Sequence, residues 1–154
     1  MKANKKEMIV SALKNGTVID HIPSDKLFEI VDILCLKGLK QQITIGNNLE
    51  SKKLGSKGII KISDKFFEKN ELGKIAIIAP KANISIIKDY EVVEKFQLSL
   101  PDEIEGIIRC ANPKCITNNE RDIVSRFDVI DKDNLAVRCH YCEKVMNKED
   151  IVLI

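Results

Sequence analysis

Residues 110–115 read Cys-Ala-Asn-Pro-Lys-Cys, and residues 139–142 read Cys-His-Tyr-Cys. Cys110 with Cys115, and Cys139 with Cys142, form two close pairs at the spacing by which cysteines grip two edges of one tetrahedral metal. Thiolates suit Zn²⁺ because soft, charged sulfur binds it tightly. Four of them fill every coordination position, so the expected centre is structural and not catalytic. A thiol-exchange role for Cys139 with Cys142 needs only two cysteines and leaves Cys110 and Cys115 unexplained. His140 then reads as a surface residue of the metal knuckle and not as a fifth ligand. Cys35, far off in the sequence, reads as a buried or half-buried thiol.

Outward from the cysteines, residues 101–154 are few for a self-sufficient core. Domains of about 60 residues bury only about 60% of their unfolded surface. A structural zinc worth on the order of 10–16 kcal/mol supplies the shortfall. Ile104–Cys110, Ile123–Ile130, Leu135–Cys139 and Ile151–Ile154 read as strands, which predicts a small all-β zinc domain.

Charge divides the chain at the same place. Residues 1–100 carry 17 lysines, no arginine and 12 acids, a balance of +5; residues 101–154 carry 8 bases and 11 acids, a balance of −3. Four thiolates around one Zn²⁺ add a further −2. An acidic metal module with scattered arginines is a poor nucleic-acid reader, whereas the lysine-rich part can receive an anion. A nucleic-acid-binding zinc ribbon and an enzyme built on zinc or on Asp20 with His21 are the rival readings. No apolar run is long enough to span a membrane. The stretch after the lysines of residues 1–6 is too short and polar for a signal peptide, so a cytoplasmic protein with reduced cysteines is expected.

The boundary is expected at Leu100-Pro101-Asp102, because proline restricts both itself and its predecessor. Within 1–100, Glu7–Leu13 reads as a strand and Asn15-Gly16 as a turn. Thr17–Ile22 reads as an extended segment ending at Pro23. Ser24 is placed to cap a helix carrying Leu27, Ile30, Val31 and Leu34, stopped by Gly38. Gln41–Leu49 and Gly58–Ile62 read as strands joined by a loop over Glu50–Lys57. Ser63 is expected to cap a short helix through Phe66, Phe67 and Leu72. Lys74–Ala79, Ile84–Ile87 and Glu91–Phe96 read as further strands. The order βαββαββ predicts an α+β, ferredoxin-like domain: a mixed or antiparallel sheet with two helices on one face.

Two constellations in this domain carry chemistry. Asp20 and His21 stand side by side in an extended segment, where neighbours point to opposite faces and do not readily bond each other. Recognition of a ligand and a turn held by Asp20 are equally good accounts. Lys61, within Ile59-Ile60-Lys61-Ile62, and Lys95 would meet one anion if their strands pair. Alternation by itself favours two solvated positions. No Gly-rich phosphate loop is present; Gly55-Ser56-Lys57-Gly58 is only a lysine-bearing hairpin signal.

Four stretches together resemble the regulatory chain of aspartate carbamoyltransferase over nearly the whole length. They are Gly16–Pro23 (GTVIDHIP), Ile43–Leu49 (ITIGNNL) with Ile60-Lys61-Ile62, Tyr90–Lys95 (YEVVEK) leading into Ser99-Leu100-Pro101, and the cysteine set with Tyr141, Glu143 and Lys144. The resemblance implies a non-catalytic subunit whose domain 1–100 binds CTP and ATP, with UTP assisting CTP. It implies that domain 101–154 holds one Zn²⁺ and docks onto the catalytic chain. Regulatory chains would pair as homodimers, three of them bridging two catalytic trimers in a dodecamer.

By the same resemblance, Lys61 and Lys95 fall on nucleotide-contacting lysines, Asp20 on the ribose-contacting acid and His21 on a nearby polar contact. Ala12 and Val18 match pocket walls; Ile87, Tyr90 and Val92 match contacts around base and sugar. Ser85 replaces a family asparagine near the triphosphate. Asn112 and Glu143 match docking positions, and Lys114 replaces a neutral polar residue there.

Overall fold

A computed structural model describes residues 13–154. The strand expected over Glu7–Leu13 and the wall position Ala12 lie outside the described residues, apart from Leu13, which is buried. The chain divides into two compact units. One runs up to Glu68 and resumes over Ile78–Ser99; the other joins Lys69–Ile77 to Leu100–Ile154.

Among the described residues, the first unit forms a five-stranded sheet of β1 (Gly16–Pro23), β2 (Ile43–Ser51), β3 (Gly55–Ser63), β4 (Asn83–Lys88) and β5 (Glu91–Gln97), in the order β2-β3-β1-β4-β5. Every neighbouring pair is antiparallel. Alternation sorts the side chains to two faces. Ile19 lies opposite Ile60 on one side and Ile84 on the other, and all three are buried. Helix α1 (Leu27–Ile33) buries Leu27, Ile30 and Val31. It covers this face at close range: a Cβ on Gly58 would stand 2.7 Å from the Leu27 Cδ1. The opposite face carries a smaller apolar cluster of Leu13, Val18, Ile59 and Ile87, with Leu49 against it.

Two turns in this unit are tighter than expected. The lysine-bearing loop shrinks to Lys52–Leu54, because Ser51 pairs with Gly55 and Lys57 already lies in β3. Gly55 takes φ +78°, the left-handed conformation that closes a three-residue hairpin. Asp89 and Tyr90, at φ 51° and 66°, form a two-residue turn between the paired Lys88 and Glu91.

The second unit contains a four-stranded sheet in the order β10-β9-β8-β6 and a two-stranded sheet of β11 with β7. Its strands are β6 (Glu103–Glu105), β7 (Ile108–Arg109), β8 (Arg126–Asp131), β9 (Ala136–Cys139), β10 (Val145–Met146) and β11 (Val152–Leu153). Helix α2 (Lys69–Ile78) has nearly all its length counted in this unit, and α3 (Ile116–Asn119) is a single turn after Cys115. The strand expected over Ile104–Cys110 is broken at Gly106, whose φ of +70° sends its two halves into different sheets.

Helix α2 corrects a second expectation. Lys74–Ala79 is not a strand, and the preceding helix does not start at Ser63, which pairs with Gly16 at the end of β3. The β-branched run Ile75-Ala76-Ile77 is buried on a helix instead. Packing overrides propensity here: a Cβ on Gly73 would approach the Ile107 Cδ1 to 2.9 Å, so glycine lets the helix settle against that side chain. Among the described residues, no helix is long and apolar enough to cross a membrane.

Candidate functional site

The four cysteines converge. Cys110 follows β7, Cys115 precedes α3, Cys139 ends β9, and Cys142 lies in the turn before β10. Their sulfurs all lie within 4.8 Å of one another. Cys110 and Cys142 are 3.6 Å apart, and Cys115 and Cys139 are 3.7 Å apart. A disulfide would need about 2.05 Å. A tetrahedron with Zn–S bonds of about 2.3 Å has edges of about 3.8 Å, so the donor set fits a closed, all-sulfur metal centre.

Local sequence shapes the two knuckles. The Asn118 Nδ2 donates to the carbonyls of Cys110 (2.9 Å) and Asn112 (2.8 Å), and the Asn119 Nδ2 donates to that of Cys115 (2.8 Å). Asn112 Oδ1 accepts from the Lys114 N–H at 3.0 Å. In the second knuckle, Glu143 at φ 62° donates its N–H to the Cys139 carbonyl at 3.0 Å. Lys114 and Glu143 are exposed and Asn112 is half-buried.

Electrostatics within the set are uneven. Burial pushes the Cys110 thiol up to about 12. Burial also opposes ionisation of Cys142, but the Lys144 backbone N–H, the Asn112 side chain and the neighbouring thiols outweigh it and bring Cys142 down to about 7. One sulfur is ready to ionise, and a buried one needs a cation beside it, which is how metal binding comes to release protons. His140 is exposed and stands edge-on to Tyr141 at 5.1 Å, outside the four-sulfur cluster.

The second site lies on the sheet face opposite α1. Pairing registers Lys61 with Val18, Val18 with Ser85, and Ser85 with Lys95. Directly paired residues share a face, so these four form one transverse row over the Val18, Ile59 and Ile87 cluster. Lys61 is only 4% exposed, and its Nζ has no hydrogen-bond partner among the described residues. Burial lowers its pKa, partly offset by the Asp20 carboxylate. The expectation of solvated strand lysines therefore fails for Lys61, because the apolar cluster and the neighbouring strands close around its stem.

Asp20 and His21 are also rearranged. Ile19 and Ile22 both face the core, and the pairing of β1 with β3 shifts between them. The two residues between occupy a bulge, with His21 at φ 57°. They are thus not on opposite faces. The His21 N–H donates to the Asp20 Oδ1 at 2.6 Å, and its Nδ1 lies 3.7 Å from that carboxylate. Lys57 Nζ, on β3 and not in the expected loop, pairs with Asp20 at 3.0 Å. The His21 Nδ1 meets the Asn83 Nδ2 at 2.8 Å. Burial lowers the His21 pKa; Asp20 opposes this, while Lys57, Lys53 and Lys95 add to it. Lys57 and Lys61 thus act on the Asp20 carboxylate, and Lys53, Lys57 and Lys95 on the imidazole beside it. Lys53 and Lys57 were legible only as members of a lysine-bearing hairpin. Asn83 carried no signal, because its role depends on β4 lying beside β1.

The remaining positions separate. Ile87 is buried, whereas Tyr90 and Val92 are exposed, Tyr90 by 69%. Ala12 lies outside the described residues. Cys35 is exposed and not buried as expected. Its φ of 54°, just past the end of α1, turns its side chain outward.

An antiparallel sheet with a cationic, partly apolar face, carried in one chain with a four-cysteine donor set, defines a two-unit protein with a metal-binding domain. Residues 8–99 match the family model of the aspartate carbamoyltransferase regulatory chain, allosteric domain, and residues 102–152 match that of its metal binding domain. The chain is 58% identical over 154 residues, all of both chains, to the aspartate carbamoyltransferase regulatory chain of Bacteroides fragilis. Identity is also 58% over 154 residues with that of Bacteroides thetaiotaomicron, again all of both chains. With that of Pyrococcus abyssi it is 49% over 148 residues, 95% of this chain and 97% of that one. The chain belongs to the family of aspartate carbamoyltransferase regulatory chains: it is a non-catalytic subunit with an allosteric domain and a metal-binding domain.

Proposed function

We propose that the cationic sheet face binds nucleoside triphosphates and that the cysteine domain, closed by one Zn²⁺, joins the chain to the catalytic chain of aspartate carbamoyltransferase. CTP and ATP compete for the face, and UTP assists CTP. The observation that carries this reading is the buried Lys61 ammonium, which has no hydrogen-bond partner among the described residues. A buried cation is costly unless an anion offsets it, and a triphosphate is such an anion. Lys95 serves the ribose region, Asp20 accepts from ribose hydroxyls, and His21 and Ser85 make polar contacts. Ala12, Val18, Ile87, Tyr90 and Val92 wall the base and sugar.

The domains run over 1–100 and 101–154, in a cytoplasmic protein of pyrimidine biosynthesis. Asn112, Lys114 and Glu143 lie on the docking surface, and the assembly is a dodecamer of two catalytic trimers and three regulatory dimers. Control needs an effector that binds two states of the assembly unequally. A coupling of about 1–3 kcal/mol changes affinity several-fold to about a hundredfold. Titration calorimetry on the zinc-loaded chain tests the core of this: CTP and ATP should displace each other at one site, and the absence of heat with either would end the assignment.

A further inference from the structure

We infer that Asn83 is a positioning residue that fixes the tautomer of His21, holding Nδ1 as a hydrogen-bond acceptor and leaving Nε2–H as the donor offered to the effector. This rests on the nucleotide reading above and assigns one group of that site a chemical state.

The geometry starts from the bulge in β1. The bulge interrupts β1 only against β3; against β4 the register runs unbroken to Asp20 opposite Asn83, the first residue of β4, and His21 follows at φ 57°. From there the Asn83 Nδ2 stands 2.8 Å from the imidazole Nδ1. An amide nitrogen only donates, so the ring nitrogen facing it accepts and carries no proton. The Asp20 carboxylate does not compete for that nitrogen. It stands 3.7 Å away, outside hydrogen-bond range. Its oxygens are already engaged: Oδ1 accepts the His21 N–H at 2.6 Å, and Lys57 Nζ lies 3.0 Å from Oδ1 and 3.2 Å from Oδ2.

A neutral imidazole has one N–H, which then belongs to Nε2. Burial disfavours a charged ring first, and the charged groups facing it add to this on balance. Asp20 on its own strand is outnumbered by Lys57 on β3, Lys53 in the turn between β2 and β3, and Lys95 on β5. His21 therefore recognises an acceptor oxygen as an uncharged donor, while the lysines supply the charge. Adding a second proton would place an N–H on Nδ1, and the Asn83 amide would have to turn over to present Oδ1.

Imidazole nitrogen NMR on the labelled, zinc-loaded chain tests this. The chain has two histidines, so His21→Gln assigns the signals. The expected spectrum without nucleotide shows an unprotonated Nδ1 and a protonated Nε2 for His21. Asn83→Ala should mix the tautomers and weaken CTP binding by roughly two- to tenfold, the worth of one hydrogen bond. Asn83→Asp, which keeps the shape, should move the proton to Nδ1 and raise the pH at which His21 titrates. A proton on Nδ1 in the unmodified chain would overturn the inference. So would an Asn83→Ala chain with unchanged spectrum and unchanged affinity. The tautomer is read without nucleotide, so a chain with the expected spectrum that binds no CTP would refute the effector reading and the donor role, but not the ring state.

Discussion

Lys61 and Lys95 lie in one transverse row of the sheet, separated only by Val18 and Ser85 on the two intervening strands. Three strand spacings of about 4.8 Å put their backbones roughly 14 Å apart. A lysine stem of five bonds of about 1.5 Å reaches roughly 6 Å. The two ammonium groups therefore suit an elongated ligand with polar groups at both ends better than one small anion. The row also divides labour: among the described residues, Lys61 is buried without a hydrogen-bond partner, and the other end of the row lies on an edge strand.

Lys61→Met should lower CTP affinity by about tenfold to a hundredfold, the range expected for one charge-assisted hydrogen bond. It should also stabilise the nucleotide-free chain. Burial lowers the pKa of Lys61, so the unfolded chain holds its proton more firmly. Between the lowered value and the ordinary lysine range the unfolded state binds more protons, and stability rises with pH across that window. Urea unfolding over neutral to alkaline pH should show this rise in the unmodified chain and less of it in the variant. A variant less stable at neutral pH would contradict the account.

Replacing Cys139 by serine, or stripping the metal with a mercurial, should loosen the metal-binding unit and release the chain from its catalytic partner. The buried thiols then lose the cation that lets them ionise together. Amide exchange should rise across β8 and β9 while β1 and β3 stay protected. Protected β8 and β9 after complete metal loss would remove the structural role of the centre.

Gly16→Ala should destabilise the first unit by about 2 kcal/mol or more. Gly16 takes φ +146°, and a Cβ there would run into the Ile62 carbonyl oxygen. The measurement is the urea midpoint, and a change within about 0.5 kcal/mol would mean that β1 can shift away from β3.

Tyr90→Gly should separate stability from binding. A tyrosine at φ 66° strains the turn between β4 and β5. Glycine should stabilise the fold by about 0.5–1 kcal/mol, allowing for its greater freedom in the unfolded chain. If the ring walls the nucleotide, CTP affinity should nevertheless fall several-fold. A gain in stability with unchanged affinity would free Tyr90 of that role.

Much of this molecule is legible in order of residues alone. Thr17–Ile22, Ile84–Ile87 and Glu91–Phe96 are rich enough in β-branched residues to read as extended, and they lie in β1, β4 and β5; the helix at Leu27, Ile30 and Val31 follows from its spacing. Ile75-Ala76-Ile77 misleads, because a β-branched run carries the same local signal whether a sheet or a packed helix buries it. Asp20 and His21 mislead for another reason. Alternation assumes a regular strand, and a bulge adds a residue that only the partner strand reveals.

The sequence by itself determined the metal centre and the family. Ligand chemistry resides in residue type and short spacing, and Cys110, Cys115, Cys139 and Cys142 carry both. Tertiary structure alone decided that Lys61 is buried, that Lys57 holds Asp20, and that Asn83 meets His21 at 2.8 Å. Each of these joins residues on different strands. Their meeting is set by sheet order and register, which depend on burying Ile19, Ile60 and Ile84 together and not on any local pattern.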